Sequence, residues 1–129
     1  MRILLDTHAL LWWLMDDDRL GPKARALIAD PANDVLISVV SFWEVALKIR
    51  IGKLAVDLDD VMAAVPADGL RLLDLRTVHL RRLMTLPVHH RDPFDHLLIA
   101  QAREERATFM SEDDQVARYP VDLMRCSAC

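Results

Sequence analysis

The chain is predicted to fold as an α/β protein on a mainly parallel sheet, and three observations carry that prediction. Short apolar runs alternate with longer segments of helical period along the 129 residues. A strand that returns beside its predecessor through a helix must run parallel to it. The runs Arg2-Ile3-Leu4-Leu5 and Val35-Leu36-Ile37-Ser38-Val39 are nearly continuous in apolar residues, as strands covered on both faces are. Helix starts fall where the alternation needs them, most clearly at Asp92-Pro93, where Asp is a good N-cap and Pro is pre-set for the first helical position.

The elements follow in order. The first strand ends abruptly at Asp6-Thr7, and His8 to Met15 carries apolar residues nearly all round, which predicts a buried helix. Leu20-Gly21-Pro22 restarts the chain and Pro22 to Ala29 forms a second helix, closed by Asp30-Pro31. The β-branched run at Val35 is the second strand. Ser41-Phe42-Trp43-Glu44 opens a helix, Asp57 to Val65 makes a short one ended by Pro66, and Leu70 to Leu73 is a third strand. Arg76 to Met84 is helical. In the central helix after Asp92, Phe94, Leu97, Leu98, Gln101 and Ala102 recur on one face. Thr108-Phe109-Met110 is a short strand, Ser111 to Arg118 a helix, and Val121 to Met124 an edge strand.

Composition sets the bounds. With 53% hydrophobic and 28% charged residues, the chain is a globular mixture rather than a disordered one. Its length predicts one domain, residues 1–125, followed by a tail, 126–129, that carries the two cysteines, Cys126 and Cys129. A single C-x-x-C pair without partners is given no role. The apolar run Ala9 to Met15 is too short to span a bilayer and lies between Asp6 and Asp16-Asp17-Asp18, unlike a signal peptide. A cytoplasmic protein with no membrane attachment is expected. The net charge of −4 argues against passive, charge-driven binding to nucleic acid. It does not exclude an enzyme acting on nucleic acid whose acids are neutralised by bound cations.

Four acids stand out. Asp6 ends the first strand, Glu44 follows the second, Asp95 lies in the first turn of the central helix, and Asp113, with Asp114 beside it, follows the Thr108–Met110 strand. Parallel sheets bind ligands outside the carboxyl ends of their strands, so these carboxylates are expected to converge. Local explanations exist beside this one. Ser41-x-x-Glu44 reads as a capping box, Ser111 and Asp114 can pair likewise, and Asp95 suits the helix dipole. Asp6 has no such explanation, because a carboxylate on the end of a buried strand needs a partner or a cation. Two carboxylates 4 Å apart repel by about 4 kcal/mol at an effective dielectric near 20. A hard divalent cation with oxygen ligands, Mg²⁺ or Mn²⁺, relieves that repulsion.

Asp6-Thr7-His8-Ala9-Leu10-Leu11-Trp12, Ser41-x-x-Glu44-Val45-Ala46-x-Lys48, Arg91-Asp92-Pro93-Phe94-Asp95-x-x-Leu98-Ile99-Ala100-Gln101-Ala102 and Ser111-x-Asp113 resemble the successive motifs of PIN-domain nucleases, and most closely those of VapC toxins. The likeness runs from residue 3 to about 122. It implies a PIN-like three-layer α/β/α sandwich and a Mg²⁺-dependent endoribonuclease with Asp6, Glu44, Asp95 and Asp113 as its acidic, metal-holding set. It also implies Ser111 as a hydroxyl near the metal, and products with 5′-phosphate and 3′-hydroxyl ends. A toxin role, a VapB-like antitoxin partner and a homodimer are further implications. Because the last motif reads Ser111-Glu112-Asp113-Asp114, three acids compete for the fourth position, and the downstream Val116-x-x-Tyr119-Pro120-Val121 pattern favours Asp113.

Other residues admit two readings. His89-His90-Arg91 lies just before the central helix, as a phosphate contact or an exposed loop, and a histidine pair can cleave RNA without metal. His8 reads as a cap or packing residue of the first helix, and His79 as part of a surface helix. Arg76, Arg81, Arg82 and Arg91 form the one basic concentration, either an RNA-backbone surface or a solvated face. Trp12, Trp13 and Trp43 suit core or interface packing, and Glu44 and Lys48 form an i,i+4 pair. The competing functions are a catalytically silent PIN-like module in a DNA-bound regulatory complex, and a phospho-receiver domain. The receiver needs a lysine after a late strand, and none occurs beyond Lys53.

Overall fold

The computed structural model describes residues 1–128. Five strands, β1 (Arg2–Leu5), β2 (Asp34–Ser38), β3 (Arg71–Leu73), β4 (Thr108–Met110) and β5 (Leu123–Met124), form one sheet in the order β3-β2-β1-β4-β5. Every neighbouring pair is parallel, as the crossover connections require. Six helices accompany them: α1 (Thr7–Leu14), α2 (Pro22–Ala29), α3 (Val39–Arg50), α4 (Leu58–Ala67), α5 (Thr77–Leu83) and α6 (Pro93–Glu104). A 3-10 turn, Asp114–Arg118, joins β4 to β5.

Strand residues alternate strictly between two cores, which makes the three layers. Ile3, Leu5, Val35, Ile37 and Met110 pack on one face with Leu10, Ala24, Ile28, Val61 and Val65 from α1, α2 and α4. Leu4, Leu36, Leu73 and Phe109 face the other way, onto Leu97, Leu98, Ala102 and Tyr119. This two-residue period is what an extended backbone imposes. Because both faces are covered, both sets must be apolar, so the sequence shows runs rather than alternation.

The chain lays β2 and β3 on one side of β1 and returns to lay β4 and β5 on the other. The strand order therefore switches at β1 and β4, and the crevice beyond their carboxyl ends is where such sheets take ligands. The backbone amide of Asp6 donates to the Met110 carbonyl at 2.9 Å. That bond carries the β1–β4 pairing one residue past the strands and fixes Asp6 beside Ser111.

The structure departs from the sequence expectation at several positions. Helix α3 begins at Val39 and is capped by Ser38, whose Oγ accepts from Val40 N at 3.0 Å. The Ser41–Glu44 capping box does not form. Pro66 lies inside α4, one residue before its end. The segment after β4 starts as a 3-10 turn capped by Asp113 rather than a helix from Ser111. Cys126, placed in a loose tail by the sequence, is fully buried in the first core, while Cys129 lies outside the described residues. His79, read as a surface residue, is also fully buried. Among the described residues, no helix is long and apolar enough to cross a membrane.

The C-terminal segment is anchored on Gly21, whose amide donates to the Cys126 carbonyl at 2.7 Å. A Cβ added at Gly21 would lie 2.6 Å from the Ala128 carbonyl oxygen and 3.1 Å from that of Ser127. These are backbone atoms that cannot rotate away. Gly21→Ala is therefore expected to lower stability by about 1–3 kcal/mol, read as a shifted urea midpoint, and an unchanged midpoint would show that this segment does not pack on α2.

Candidate active site

Asp6 is the N-cap of α1 and is 3% exposed. One carboxylate oxygen accepts the Thr7 amide at 2.7 Å and the other accepts the Ser111 hydroxyl at 2.7 Å. Ser111, itself fully buried, also accepts the Asp113 amide at 3.1 Å. A serine at the end of β4 thus ties the end of β1 to the loop that carries Asp113. The Thr7 hydroxyl lies 3.0 Å from that of Ser41, which links the start of α1 to the first turns of α3.

Glu44, on the second turn of α3, is 5% exposed. Its carboxylate pairs with Lys48 at 2.8 Å, one turn on. The pair is buried at its acidic end, not a surface contact, and its charge is felt at Asp6.

Asp92 caps α6 through the amides of Phe94 and Asp95, at 2.9 and 3.2 Å, as the Asp92-Pro93 pair predicts. It aims Asp95 inward, where it is 5% exposed. His90 Nε2 lies 3.1 Å from Asp95 Oδ2. One ligand atom each from His90, Asp95 and Asp113 fall within 4.8 Å of one another. Of the three acids competing after β4, Asp113 is the one that reaches this group. Glu112 turns away to bind the amide and hydroxyl of Ser127 at 3.0 and 2.8 Å, and Asp114 pairs with Arg125 at 2.9 Å.

Electrostatics record the crowding. Burial raises the Asp6 carboxyl above its ordinary range, against the hydrogen bonds from Ser111 and Thr7, and Glu44 adds to the rise. Asp95 is pushed up to about 9, first by burial and then by the charges of Asp6, Asp92 and Asp113. Asp6 thus senses Glu44, and Asp95 senses Asp6 and Asp113, whereas the ligand atoms that come closest together are those of His90, Asp95 and Asp113, without Asp6 or Glu44. The chemistry of this donor set, oxygen-rich and short of positive charge, fits a hard divalent cation.

The sequence missed how His90 enters the site, because the residue that orients it, Tyr119, is distant in the chain. Two of the four arginines in the basic concentration are held in ion pairs: Arg76 with Glu105 at 3.0 Å and Arg82 with Glu104 at 2.9 Å. Trp12 and Trp13 pack on the first core, whereas Trp43 is half exposed and meets Phe94 edge-on at 4.8 Å.

The sequence matches the PIN domain family over residues 3–122. The chain belongs to the PIN domain family. Its PIN fold is similar to a chain of the VapBC2 complex from Rickettsia felis, solved bound to a DNA fragment from their promoter. That likeness has a TM-score of 0.71 at 16% identity and covers 97% of this chain and 98% of that one. A toxin-antitoxin complex from Klebsiella pneumoniae gives a TM-score of 0.65 at 16% identity, over 98% and 99% of the two chains. VapBC-1 from nontypeable Haemophilus influenzae gives 0.62 at 14% identity, over 99% and 100%. No curated protein matches this PIN-domain chain in sequence.

Proposed function

We propose that this PIN-domain protein is a metal-dependent endoribonuclease, cleaving RNA phosphodiester bonds as the toxin of a VapBC-type pair. The observation that carries the reading is the crowding of buried acid beyond β1 and β4: Asp95 lies with Asp113 and His90, Asp95 is raised by burial and by Asp6, Asp92 and Asp113, and Asp6 is raised by burial and by Glu44. A fold shared with chains of three toxin-antitoxin complexes supports the toxin role and a VapB-like antitoxin partner. The PIN resemblance supports RNA as substrate, a homodimer and a cytoplasmic setting.

Asp6, Asp95 and Asp113, with Glu44, would hold Mg²⁺, or Mn²⁺ in its place. When bound, the cation supplies a water of lowered pKa and charge neutralisation at the phosphate. The protein's own groups do the positioning. Ser111 and Thr7 each occupy one oxygen of Asp6 and fix the plane of its carboxylate. Lys48 holds Glu44 and offsets its charge. Asp92 sets the first turn of α6, so that Asp95 faces Asp113 rather than solvent.

Purified protein should cleave RNA with millimolar Mg²⁺, leave 5′-phosphate and 3′-hydroxyl ends, and lose activity on chelation. Cleavage that survives chelation, or that leaves a cyclic phosphate, would replace this reading with a histidine mechanism through the 2′-hydroxyl. A promoter-bound role beside the antitoxin is a second reading, supported by the DNA fragment in the R. felis complex. A DNA mobility shift seen only with the antitoxin present would support it.

A further inference from the structure

The group His90–Asp95–Asp113 has the composition of a mixed nitrogen and oxygen metal site. The hydrogen bonds around His90 argue for a different role. Tyr119, 5% exposed, is the deciding residue. Its phenol oxygen lies 2.9 Å from the amide of His89 and 3.3 Å from that of His90, both of which donate to it. Those two bonds use its acceptor capacity and leave one O–H to give. The remaining neighbour is His90 Nδ1, at 2.8 Å. Nδ1 must therefore accept, and in a neutral imidazole the proton then resides on Nε2. That nitrogen lies 3.1 Å from Asp95 Oδ2, so it donates to that oxygen.

The ring is also clamped. His96 meets it edge-on at 4.9 Å and 88°, and Tyr119 at 5.4 Å and 66°. Tyr119 is in turn braced by His89 at 4.9 Å. Rotation of His90 to present a bare Nε2 would break the phenol bond and these ring contacts together.

We propose that Tyr119 and His90 form a relay that positions Asp95: the phenol fixes the imidazole tautomer, and Nε2–H orients the carboxylate for the cation. His90 is a positioning residue here, not a metal ligand. This assignment rests on the metal-dependent reading of the site for its purpose, but not for its geometry. A relay of this kind holds the ligand oxygen in place, and comparable partners of metal-binding groups change metal affinity about 10- to 100-fold when removed.

The first experiment is tautomer-resolved ¹⁵N NMR of the histidine rings in the metal-free full chain, repeated with Zn²⁺ added as a diamagnetic probe. Protonation of His90 at Nε2, retained with Zn²⁺, is the expected result. A proton on Nδ1, or loss of the Nε2 proton to Zn²⁺, overturns the proposal. The second is Mn²⁺ binding by calorimetry to the wild type, His90→Ala and His90→Gln. Ala is expected to weaken binding at least about 10-fold, and Gln, whose amide can still donate, to stay within about threefold. Wild-type affinity in His90→Ala, or equal loss in both variants, overturns it. Failure of every form to bind Mn²⁺ would refute the metal-dependent reading, while the NMR result still decides the relay.

Discussion

Replacing Asp95 by Asn is expected to stabilise the metal-free protein at pH 8 and at the same time to reduce RNA cleavage by more than about 100-fold, beyond what loss of an outer-shell partner costs. The two effects have one cause. The folded protein holds the Asp95 carboxyl at about 9, whereas the unfolded chain returns it to roughly 3.9. Between those values the folded state binds a proton that the unfolded state does not. The contribution of Asp95 is therefore full below about pH 4 and is lost as pH rises toward 9. Asp6, also raised, adds a slope of the same sign. Each pH unit in the window is worth up to about 1.4 kcal/mol. From pH 5 to 8 the share of the loss due to Asp95 alone is then at most about 4 kcal/mol, or roughly 10–15 °C in a domain of this size. Asn has Asp's shape and no charge to bury, so Asp95→Asn should flatten the slope. Mg²⁺ should act in the opposite sense and raise the wild-type melting temperature more at pH 8 than at pH 6, because it competes with the proton. Thermal melts in chelator from pH 5 to 8 test this. A wild-type melting temperature that climbs across that range would mean that the acids do not crowd one another.

The parts of this fold legible in the sequence are those fixed by neighbours in the chain. Strands β1 and β2 announce themselves through Ile3-Leu4-Leu5 and Val35-Leu36-Ile37, and the start of α6 through Asp92-Pro93, because burial on two faces and capping leave local marks. Asp113 was legible by its spacing from the Tyr119 segment, and the structure brings it, of the three candidates, to Asp95. Where the reading failed, a distant residue decided the outcome. Val39 looks like strand continuation and Ser41 like a cap, yet Ser38 caps α3, held by a hydrogen bond to Gln101 from α6. His90 reads as a phosphate contact or an exposed loop residue, because Tyr119, whose phenol lies 2.8 Å from its Nδ1, is 29 residues away in the chain. Cys126 looked like a frayed end because its backbone partner is Gly21, across the molecule.

His79 is the instructive failure, and it yields a prediction opposite in pH sign to that for Asp95. Flanked by exposed arginine-rich sequence, it is buried because Glu105, at the end of α6, accepts its Nε2–H at 2.9 Å. Its Nδ1 accepts the Arg76 amide at 2.9 Å, which sets that tautomer. With the Gln101 bonds to Ser38 and to the Asp74 carbonyl, these form a polar chain that locks α5 and the start of α3 onto α6. Glu105→Ala leaves the His79 N–H buried without an acceptor and releases Arg76, at an expected cost of about 3 kcal/mol at pH 7. Burial opposes the charge of Glu105, but the bonds from His79 and Arg76 outweigh it and hold its pKa below the ordinary value. Its contribution is thus present above about pH 4.3 and is lost as pH falls through the folded value. Urea midpoints of wild type and Glu105→Ala should differ widely at pH 7 and draw together in acid. Equal midpoints at pH 7, or a gap that widens on acidification, would show that α5 is held by its apolar face alone. Since Glu105 lies at the far end of α6 from Asp95, the variant should keep the metal affinity of the wild type, which separates the polar lock of the fold from the acidic site it supports.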